Sequence, residues 1–530
     1  PNIVAPGTAN APIPTWAGQY AVFQGTSMAA PQTSGAAALL VGQAQKTGLK
    51  VTPRHLTQAL ELGARRLPGY AWYEQGHGLI QVDLAWNTLQ RVAQEKSPDL
   101  VSFGKAKAGV PATGLYARDF TATDSDARWV MGNRDYWRAN LDLSYLPGSG
   151  LTVSGPASVS LPGLQRKNIP LKFTYDTNRP GIYDALIQAR TPGQVSYAAE
   201  YLATVIVPHT FDPAKGNVIT GITGNLSPAR YGRHFVQVPA GTAELKVNLT
   251  VPNKQGRVRV MAYTPDGMPY GNGTPWAGAP ESPDSQTLTI QSPQPGVWEL
   301  DTYASHGGMN YGLTQNKYVI DVAARGVYAK PSRIELAPFF GMDQKRSITF
   351  ANYYGEIDAV LTGAGFAQPV TERLTLEQGA FEDKFIDVAE GTALLRAGFS
   401  GVEDLNADLE IGLYYNDPKL GGWTVVGTTS GQRLSKTIEL LNPAPGKYAV
   451  EIAGKQVPTG KTGLTYSLTT VAGGTGVKVP QGATPRAFGT KWSTEATFTL
   501  PANPGAYVGA VTVTDAKTGQ VLTVVPVEIR

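Results

Sequence analysis

A short pattern that repeats four times limits the folds open to this chain more than any other feature of its sequence. Each copy reads Pro-Gly-x-Tyr or Pro-Gly-x-Trp and runs directly into a strand of alternating residues. Pro-Gly forms a tight turn, and the aromatic residue after it starts a strand whose alternate side chains fill the core of a β-sandwich. The copies begin at Pro180, Pro295, Pro445 and Pro504. The repeat therefore predicts several β-sandwiches in one chain.

The composition supports a chain made mostly of short strands. Its 530 residues include 60 glycines and 39 prolines, while only 16% of the residues are charged. Frequent Gly and Pro favour tight turns between strands over helical bundles. A chain of this length exceeds what one hydrophobic core serves, so we expect roughly three to five domains.

The sequences around the repeats sort the four copies into two kinds. The stretch that starts at His234 resembles the stretch that starts at Lys384, and the other two copies resemble each other. Tyr448 and Tyr507 are too close in sequence for a whole sandwich of about 100 residues to lie between them. We therefore expect one sandwich to be inserted into another, discontinuous one, because exposed loops tolerate such insertions.

Helical signals of useful length are confined to the first ninety or so residues. An uncharged run of small apolar residues follows Ser27, which indicates a helix that is buried on every side. Thr52 can cap a second, amphipathic helix that has Pro53 as its first residue. A short strand at Leu79–Val82 and a third helix capped by Asp83 are predicted next.

Several classes of function are disfavoured by the charge and the residue types present. The 45 basic and 41 acidic residues give a net charge of +4 with no long Lys/Arg run, so we do not expect a nucleic-acid partner. No apolar window reaches the length of a membrane span, and the first residues have neither a charged nor an apolar leader segment, so we expect neither a membrane span nor an intact signal peptide. Because the chain has no cysteine, we expect no disulfide. Because it begins with Pro1 rather than Met, we interpret it as a fragment.

The turn formed by Gly25, Thr26 and Ser27 is the strongest candidate for chemistry. Glycine lets the backbone turn sharply and lets a substrate approach, and a serine that starts a helix points its N–H outward. Such a serine could be a helix cap, an anion ligand or a nucleophile whose own N–H serves as an oxyanion donor. A bare Gly-Thr-Ser usually does no more than cap a helix.

The longer match around this turn resembles the subtilisin-like serine peptidases, or subtilases. "GTSMAAP" resembles their serine signature, and "PNIVAPG" resembles the strand and loop before it. "LTQALELGARRL" and "YEQGHGLIQVDLAW" are similar to the closing helix, the Gly-rich hairpin and the last helix of the catalytic domain. The second of these stretches and "TGLYARDF" also resemble the tripeptidyl-peptidase II-like branch. The two similar sandwiches resemble pre-peptidase C-terminal modules of secreted bacterial proteases.

The predicted fold class is multidomain, with a truncated α/β subtilisin-like segment followed by mostly antiparallel β-sandwiches. The predicted domains are the subtilisin-like segment 1–95, a fibronectin III-like sandwich 96–207, a pre-peptidase C-terminal-like sandwich 208–325, a discontinuous sandwich 326–375 plus 473–530, and a pre-peptidase C-terminal-like sandwich 376–472 inserted into it.

The resemblance implies a role for each residue of the turn. Ser27 would be the nucleophile that forms the acyl-enzyme, its backbone N–H would be an oxyanion donor, and Gly25 and Thr26 would form the turn that the substrate approaches. The family supplies the catalytic Asp and His before the serine. Residues 1–26 contain no His, Asp, Glu, Lys or Arg. We therefore expect the chain to be inactive alone, with its base and its oxyanion asparagine in an upstream part of the same domain.

No histidine of the chain is predicted to replace that base. His77 lies in the Gly-rich hairpin and is expected to make local hydrogen bonds, and His55 starts a solvated helix. The other three, on strands or loops of the sandwiches, are His209, His234 and His306.

Calcium is the one cofactor that the sequence leaves open. Two oxygen-rich turns have suitable residue types but lack a twelve-residue calcium loop. We assign no metal ligand to them and expect their acidic groups to be solvated. The residues concerned are Asp124, Asp126, Glu403, Asp404, Asn406 and Asp408.

The preferred interpretation is a secreted, extracellular or cell-envelope, serine endopeptidase that acts on polypeptides through Ser27. One alternative is a non-catalytic β-sandwich array that binds a partner or a cell wall. The other is an exopeptidase of the tripeptidyl-peptidase type.

Overall fold

The computed structural model describes residues 1–12, 20–105, 111–112, 114–118, 128–418, 422–429 and 434–529. The chain divides into two compact units, Pro1–Val207 and Pro208–Arg530. Antiparallel strand pairs dominate both units, so the prediction of a mostly β chain is confirmed.

The α-helices of the described residues all lie within the first 95 residues. Their bounds are Thr26–Thr47 (α1), Pro53–Leu62 (α2), Trp72–Gln75 (α3) and Val82–Val92 (α4). Thr52 caps α2 as predicted, because its side chain accepts a hydrogen bond from the His55 N–H and the His55 ring accepts one from the Thr52 N–H. In this described part no helix combines the length and apolarity needed to cross a membrane.

Two local predictions about the end of this segment are wrong. Gln81 precedes α4 and no side chain caps the helix, so Asp83 lies in the first turn instead. Leu79 forms isolated bridges to Val4 and Arg65 rather than a strand. The hairpin thus contacts two separate segments, which the local sequence could not indicate.

The strands of Pro1–Val207 form an N-terminal hairpin and a β-sandwich. Their bounds are Thr8–Pro12 (β1), Tyr20–Gln24 (β2), Leu100–Lys105 (β3), Pro111–Ala112 (β4), Leu115–Ala117 (β5), Arg128–Asn133 (β6), Ala139–Pro147 (β7), Thr152–Ser154 (β8), Ser158–Leu161 (β9), Arg166–Pro170 (β10), Lys172–Thr174 (β11), Gly181–Arg190 (β12) and Ala199–Val207 (β13). Strands β1 and β2 pair with each other. The sandwich has sheets in the order β5-β13-β12-β7-β9 and β10-β6-β3-β4, and its core includes Trp129 and Tyr201.

The first strands of Pro208–Arg530 form two sheets around one core. Their bounds are His209–Thr210 (β14), Val218–Leu226 (β15), Tyr231–Val238 (β16), Thr242–Thr250 (β17), Arg257–Tyr263 (β18), Pro269–Tyr270 (β19), Ala277–Gly278 (β20), Ser285–Gln291 (β21), Gly296–Ala304 (β22) and Asn316–Lys330 (β23). One sheet has the order β14-β16-β22-β18-β19, with β20 also paired to β18. In the other, β21, β17 and β23 are neighbours, and β15 pairs with β23.

The remaining strands continue to Ile529. Their bounds are Ile334–Leu336 (β24), Asp343–Asn352 (β25), Ile357–Ala367 (β26), Val370–Glu377 (β27), Phe381–Val388 (β28), Leu394–Ser400 (β29), Asp408–Asp417 (β30), Gly422–Thr429 (β31), Lys436–Leu441 (β32), Gly446–Gln456 (β33), Lys461–Val471 (β34), Val477–Lys478 (β35), Thr484–Arg486 (β36), Lys491–Thr499 (β37), Tyr507–Asp515 (β38) and Val521–Ile529 (β39). Strands β27 to β34 form two four-stranded sheets, β27-β34-β29-β32 and β28-β33-β30-β31, around their own core.

Residues before and after this module share sheets and a core. Strand β25 pairs with β37, β26 with β38 and β24 with β39. Phe350 and Phe498, from the two sides of the module, are both fully buried in the common core. Strand β23 continues across the boundary predicted at 325/326, because it pairs with β17 up to Gly326 and with β25 from Val327 onward.

An ion cluster joins the module 376–472 to this common core. The Arg396 guanidinium lies 2.5 Å from a carboxylate oxygen of Glu439 and 2.5 Å from one of Glu528. Arg333 binds the same two carboxylates. Two cations and two anions therefore neutralise one another where the two sandwiches meet.

The four Pro-Gly-x-aromatic repeats share one hydrogen bond that the sequence did not indicate. In each copy the aromatic side chain is buried and donates to the backbone carbonyl four residues earlier. Tyr448 OH, for example, lies 2.9 Å from Ala444 O, and the Trp298 Nε1–H donates to Gln294 O at 2.8 Å. The turn and the strand are thereby held together by the residue that starts the strand. The equivalent donors are Tyr183 and Tyr507.

Candidate active site

The Gly25-Thr26-Ser27 turn connects strand β2 to helix α1. Gly25 has a φ of 138°, which residues with a side chain rarely adopt. Its carbonyl accepts hydrogen bonds from the N–H groups of Met28 at 3.0 Å and Ala29 at 3.4 Å. Thr26 and Ser27 occupy the first two helical positions, where N–H groups have no partner within the helix.

Ser27 is exposed at the positive end of the helix dipole. Gly25 occupies the capping position, so neither Thr26 nor Ser27 caps the helix. The turn therefore presents a hydroxyl and outward-facing N–H groups together. This arrangement suits an incoming group that develops negative charge.

Backbone contacts hold the turn against the beginning of the chain and the Gly-rich hairpin. The Gly25 N–H donates to Gly7 O at 2.8 Å. Three residues before Gly7, Val4 donates to Gly78 O at 2.9 Å and accepts from the Ile80 N–H at 3.0 Å. A Cβ on Gly78 would overlap the backbone of another segment, so only glycine fits there.

Helix α1 is not buried on every side. Within the described residues its buried side chains are Ala36, Leu40 and Ala44, while Leu39 is 66% exposed. The helix packs on α2, α4 and the β1–β2 hairpin. These elements cover one stripe of the helix and leave other apolar residues exposed, so the prediction of all-round burial is wrong for this chain.

Across the described part of the chain, no histidine is hydrogen-bonded to Ser27. His55 is engaged in the cap of α2, and His77 is bonded to a residue of the following sandwich. The remaining histidines belong to Pro208–Arg530 and are His209, His234 and His306.

A buried polar cluster around His77 joins the α/β segment to the following sandwich. His77 Nε2 lies 3.1 Å from one carboxylate oxygen of Glu200 and 3.2 Å from the other. Tyr197 OH donates to Glu61, whose other carboxylate oxygen accepts from Asn2 Nδ2 at 2.7 Å. The prediction of local hydrogen bonds for His77 is wrong, because its partner Glu200 lies 123 residues further along the chain.

Burial shifts the pKa of two members of this cluster, Glu61 and Tyr197. Glu61 is 2% exposed, and desolvation raises the pKa of its carboxyl, although the hydrogen bonds from Tyr197 and Asn2 oppose that shift. Burial also raises the pKa of Tyr197, which keeps its hydroxyl a donor at neutral pH. Ligand atoms of Glu61, His77 and Glu200 lie within 4.8 Å of one another. Because each already has a hydrogen-bond partner, we assign no metal to them.

The turns considered for calcium use their acidic groups internally. Glu403 forms an ion pair with Arg373, and Asp404 accepts a hydrogen bond from the Asn406 N–H at 3.0 Å. Both carboxylates thus have partners within the module. Two further candidates lie outside the described residues, namely Asp124 and Asp126.

Comparisons with known proteins point to one group of peptidases. Residues 1–78 match the family model described as the subtilase family. The chain is 27% identical over 482 residues to pyrolysin of Pyrococcus furiosus, an alignment that covers 86% of this chain and 32% of pyrolysin. It is 25% identical over 278 residues to tripeptidyl-peptidase 2 of Drosophila melanogaster, covering 48% of this chain and 19% of that protein. A stretch of 75 residues is 43% identical to human membrane-bound transcription factor site-1 protease, covering 14% and 7% of the two chains.

The crystal structure of tripeptidyl peptidase 2 has a similar fold. It matches 95% of this chain and 46% of that chain, with a TM-score of 0.53 and 16% sequence identity. This chain therefore spans about a third of pyrolysin and under half of the solved peptidase. The comparisons confirm the resemblance and the predicted fold class, a subtilisin-like α/β segment followed by β-sandwiches.

Proposed function

We propose, from the relationship of this chain to subtilisin-like and tripeptidyl-peptidase 2-like serine peptidases, that it carries the nucleophile of a serine endopeptidase. The nucleophile is Ser27, and the substrate is a polypeptide. Gly25 and Thr26 form the turn that the scissile peptide approaches.

The observation that carries the proposal is the position of Ser27. Its side chain is exposed at the start of α1, and Gly25 rather than a side chain occupies the capping position. A helix N-terminus stabilises negative charge, and the Ser27 N–H lies beside its own hydroxyl. The same residue thus supplies a nucleophilic oxygen and a donor for the oxyanion.

In the proposed reaction Ser27 Oγ attacks the carbonyl carbon of the scissile peptide. A histidine base takes the hydroxyl proton and passes it to the leaving amine as the C–N bond breaks. Water then attacks the acyl-enzyme and releases the second product. We propose that the base and its aspartate lie outside this sequence, because the chain covers only 32% of pyrolysin and no described histidine is hydrogen-bonded to Ser27.

The exposed apolar residues of α1 support an upstream part of the same catalytic domain as the missing partner. Leu39 is 66% exposed on a helix that carries no charged residue before Lys46. Apolar surface of this kind is stabilised when it is covered. We propose that the residues carrying the Asp and the His cover it, and that the chain without them has no peptidase activity.

The likeness to tripeptidyl peptidase 2 across 95% of the chain favours a second candidate, an exopeptidase. The two modes are separated by a blocked substrate. An endopeptidase cleaves long peptides whose N-terminus is acetylated, whereas an exopeptidase that needs a free N-terminus does not.

For localisation we propose a secreted or cell-envelope protein. This proposal rests on the likeness of the two similar sandwiches to modules of secreted bacterial proteases.

The test uses the complete polypeptide that contains this chain, assayed on casein and on N-acetylated peptides. We expect the complete polypeptide to hydrolyse these substrates. Ser27→Ala should lower kcat by at least about a thousandfold. Ser34→Ala is the matched control, because Ser34 is another exposed serine of α1. Full activity of Ser27→Ala would overturn the proposal, because another residue would then be the nucleophile. No hydrolysis by the complete polypeptide would also overturn it and would leave the alternative of a non-catalytic binding array.

A further inference from the structure

The sandwich over 208–325 presents two arginines side by side on one aromatic ring. Arg257 and Arg259 are alternate residues of β18, so they lie on the same face of the sheet. Their guanidinium carbons lie 4.8 Å and 5.2 Å from the centre of the Trp276 ring. Cation–π attraction holds each one there, yet it also brings two like charges together.

No carboxylate of the described residues pairs with either arginine. The Nε atom of each is buried and has no hydrogen-bond partner in this described region. On the neighbouring strands of the same sheet Arg233 behaves differently, because it binds Glu299 at 2.5 Å and approaches Asp301 at 3.8 Å. The protein therefore neutralises one arginine of this face and leaves two uncompensated.

The similar module 376–472 provides an internal comparison. Arg259 lies opposite Tyr303 in its strand pair, and the equivalent residue of the other module, Glu410, lies opposite Ala453. Glu410 is paired with Lys455 at 2.9 Å. The charged residue at this position is therefore neutralised by a partner in the second module. In the first module the equivalent residue, Arg259, has no carboxylate partner among the described residues.

An aromatic row continues from the arginines toward the solvent. The rings of Tyr303 and Tyr231 stack at 4.7 Å, and Tyr303 lies 5.9 Å from Trp276. Arg259 lies 5.9 Å from the centre of the Tyr303 ring, and Tyr231 is 51% exposed. We call these residues the Trp276 face, which comprises Arg257, Arg259, Trp276, Tyr303 and Tyr231.

The composition and charge of the Trp276 face define the partner that fits it. Two unpaired guanidinium groups attract carboxylates and can bind them with two parallel hydrogen bonds. Tyr, Trp and Arg are also the residues that contribute most of the binding energy in protein–protein interfaces. We propose that the Trp276 face binds an acidic polypeptide segment, with carboxylates on Arg257 and Arg259 and apolar side chains on the tyrosine rings.

This inference goes beyond the proposed peptidase and does not depend on it. A binding measurement with this chain needs no catalytic triad. Failure of the peptidase assay would leave the acidic-segment site untouched, and failure of the binding assay would leave Ser27 untouched.

The experiment measures binding of a short fluorescein-labelled peptide in which glutamate alternates with leucine and tyrosine. We expect binding that weakens with added salt, and at least about tenfold weaker binding by the double variant Arg257→Gln/Arg259→Gln. Tyr231→Ser should weaken binding about threefold or more without changing the melting temperature, because its ring is half exposed. The matched control is Lys345→Gln/Arg346→Gln, which removes the same charge elsewhere in the chain and should bind as the parent does.

Three results would overturn the proposal. The first is no binding by the parent chain, or equal binding of the same peptide with glutamine in place of glutamate. The second is heparin binding as tightly as the peptide with the same loss in the double arginine variant, which would indicate an anionic polysaccharide surface. The third is concentration-dependent self-association that the double variant abolishes, which would make the occupant a second copy of this chain.

Discussion

Removing one hydroxyl from the buried cluster at His77 should loosen the contact between the α/β segment and the following sandwich. The perturbation is Tyr197→Phe, which keeps the ring and deletes the hydrogen bond to Glu61. Because Glu61 is 2% exposed, water cannot replace the lost donor. The carboxylate then keeps only its bond from Asn2.

The expected cost follows from the charge and the burial of the acceptor. A hydrogen bond to a charged group contributes about 1.5–3 kcal/mol, and a buried acceptor left without a partner adds a desolvation cost. We expect a loss of about 2 kcal/mol, which corresponds to a roughly thirtyfold larger population of the opened contact.

Hydrogen exchange measured by mass spectrometry on the full chain is the suitable assay, since a multidomain chain does not unfold in one two-state step. Amides of α2 and the Gly-rich hairpin should exchange faster by that factor. Tyr136→Phe is the control, because Tyr136 is 85% exposed and should have no effect. A change below about twofold in Tyr197→Phe, or an equal change in the control, would refute the reasoning.

Three further perturbations have directions that the structure determines. Burial lowers the pKa of His234 to about 4, so below pH 6.5 the unfolded chain binds a proton that the folded module does not. The free energy of unfolding of this module should therefore fall by up to about 3 kcal/mol between pH 6.5 and pH 4. In urea titrations at several pH values, His234→Gln should abolish this pH dependence. Arg396→Met should lower the free energy of unfolding by about 2 kcal/mol in urea denaturation, because two carboxylates lose one of their two cationic partners and keep only Arg333. Lys345→Met, which breaks a solvent-exposed pair, should cost less than about 0.5 kcal/mol. Gly78→Ala should destabilise the folded chain by more than about 3 kcal/mol, because the new Cβ would overlap the backbone of Arg65. Gly193 also has a positive φ, but open space surrounds the position of its Cβ, so Gly193→Ala should cost only about 1 kcal/mol in thermal melts.

Local features of the sequence predicted the Pro-Gly turns and the cap of α2, although the cap predicted for α4 at Asp83 was wrong. Pro-Gly followed by an aromatic residue specified a turn and the start of a buried strand, because both depend on residues that are adjacent in sequence. The cap of α2 by Thr52 followed from the same kind of short-range signal. The position of Ser27 at the start of α1 was predicted for this reason as well.

Features that depend on distant residues could not be predicted in this way. Nothing near His77 indicates Glu200, although Glu61 beside the apolar stripe of α2 was a signal that a buried polar contact existed. The exposure of α1 was missed because an apolar sequence does not specify which elements cover it. The Trp276 face was missed because Arg257 and Arg259 reach Trp276 only through the fold of the sheet.

Covalent labelling tests the central claim most directly. A fluorophosphonate probe that reacts only with activated serines is applied to the complete polypeptide that contains this chain, and the modified residue is identified by mass spectrometry. The account predicts one modified residue, Ser27, and no modification in the Ser27→Ala variant or in the isolated chain. A complete polypeptide that hydrolyses peptides while Ser27 stays unmodified would contradict it.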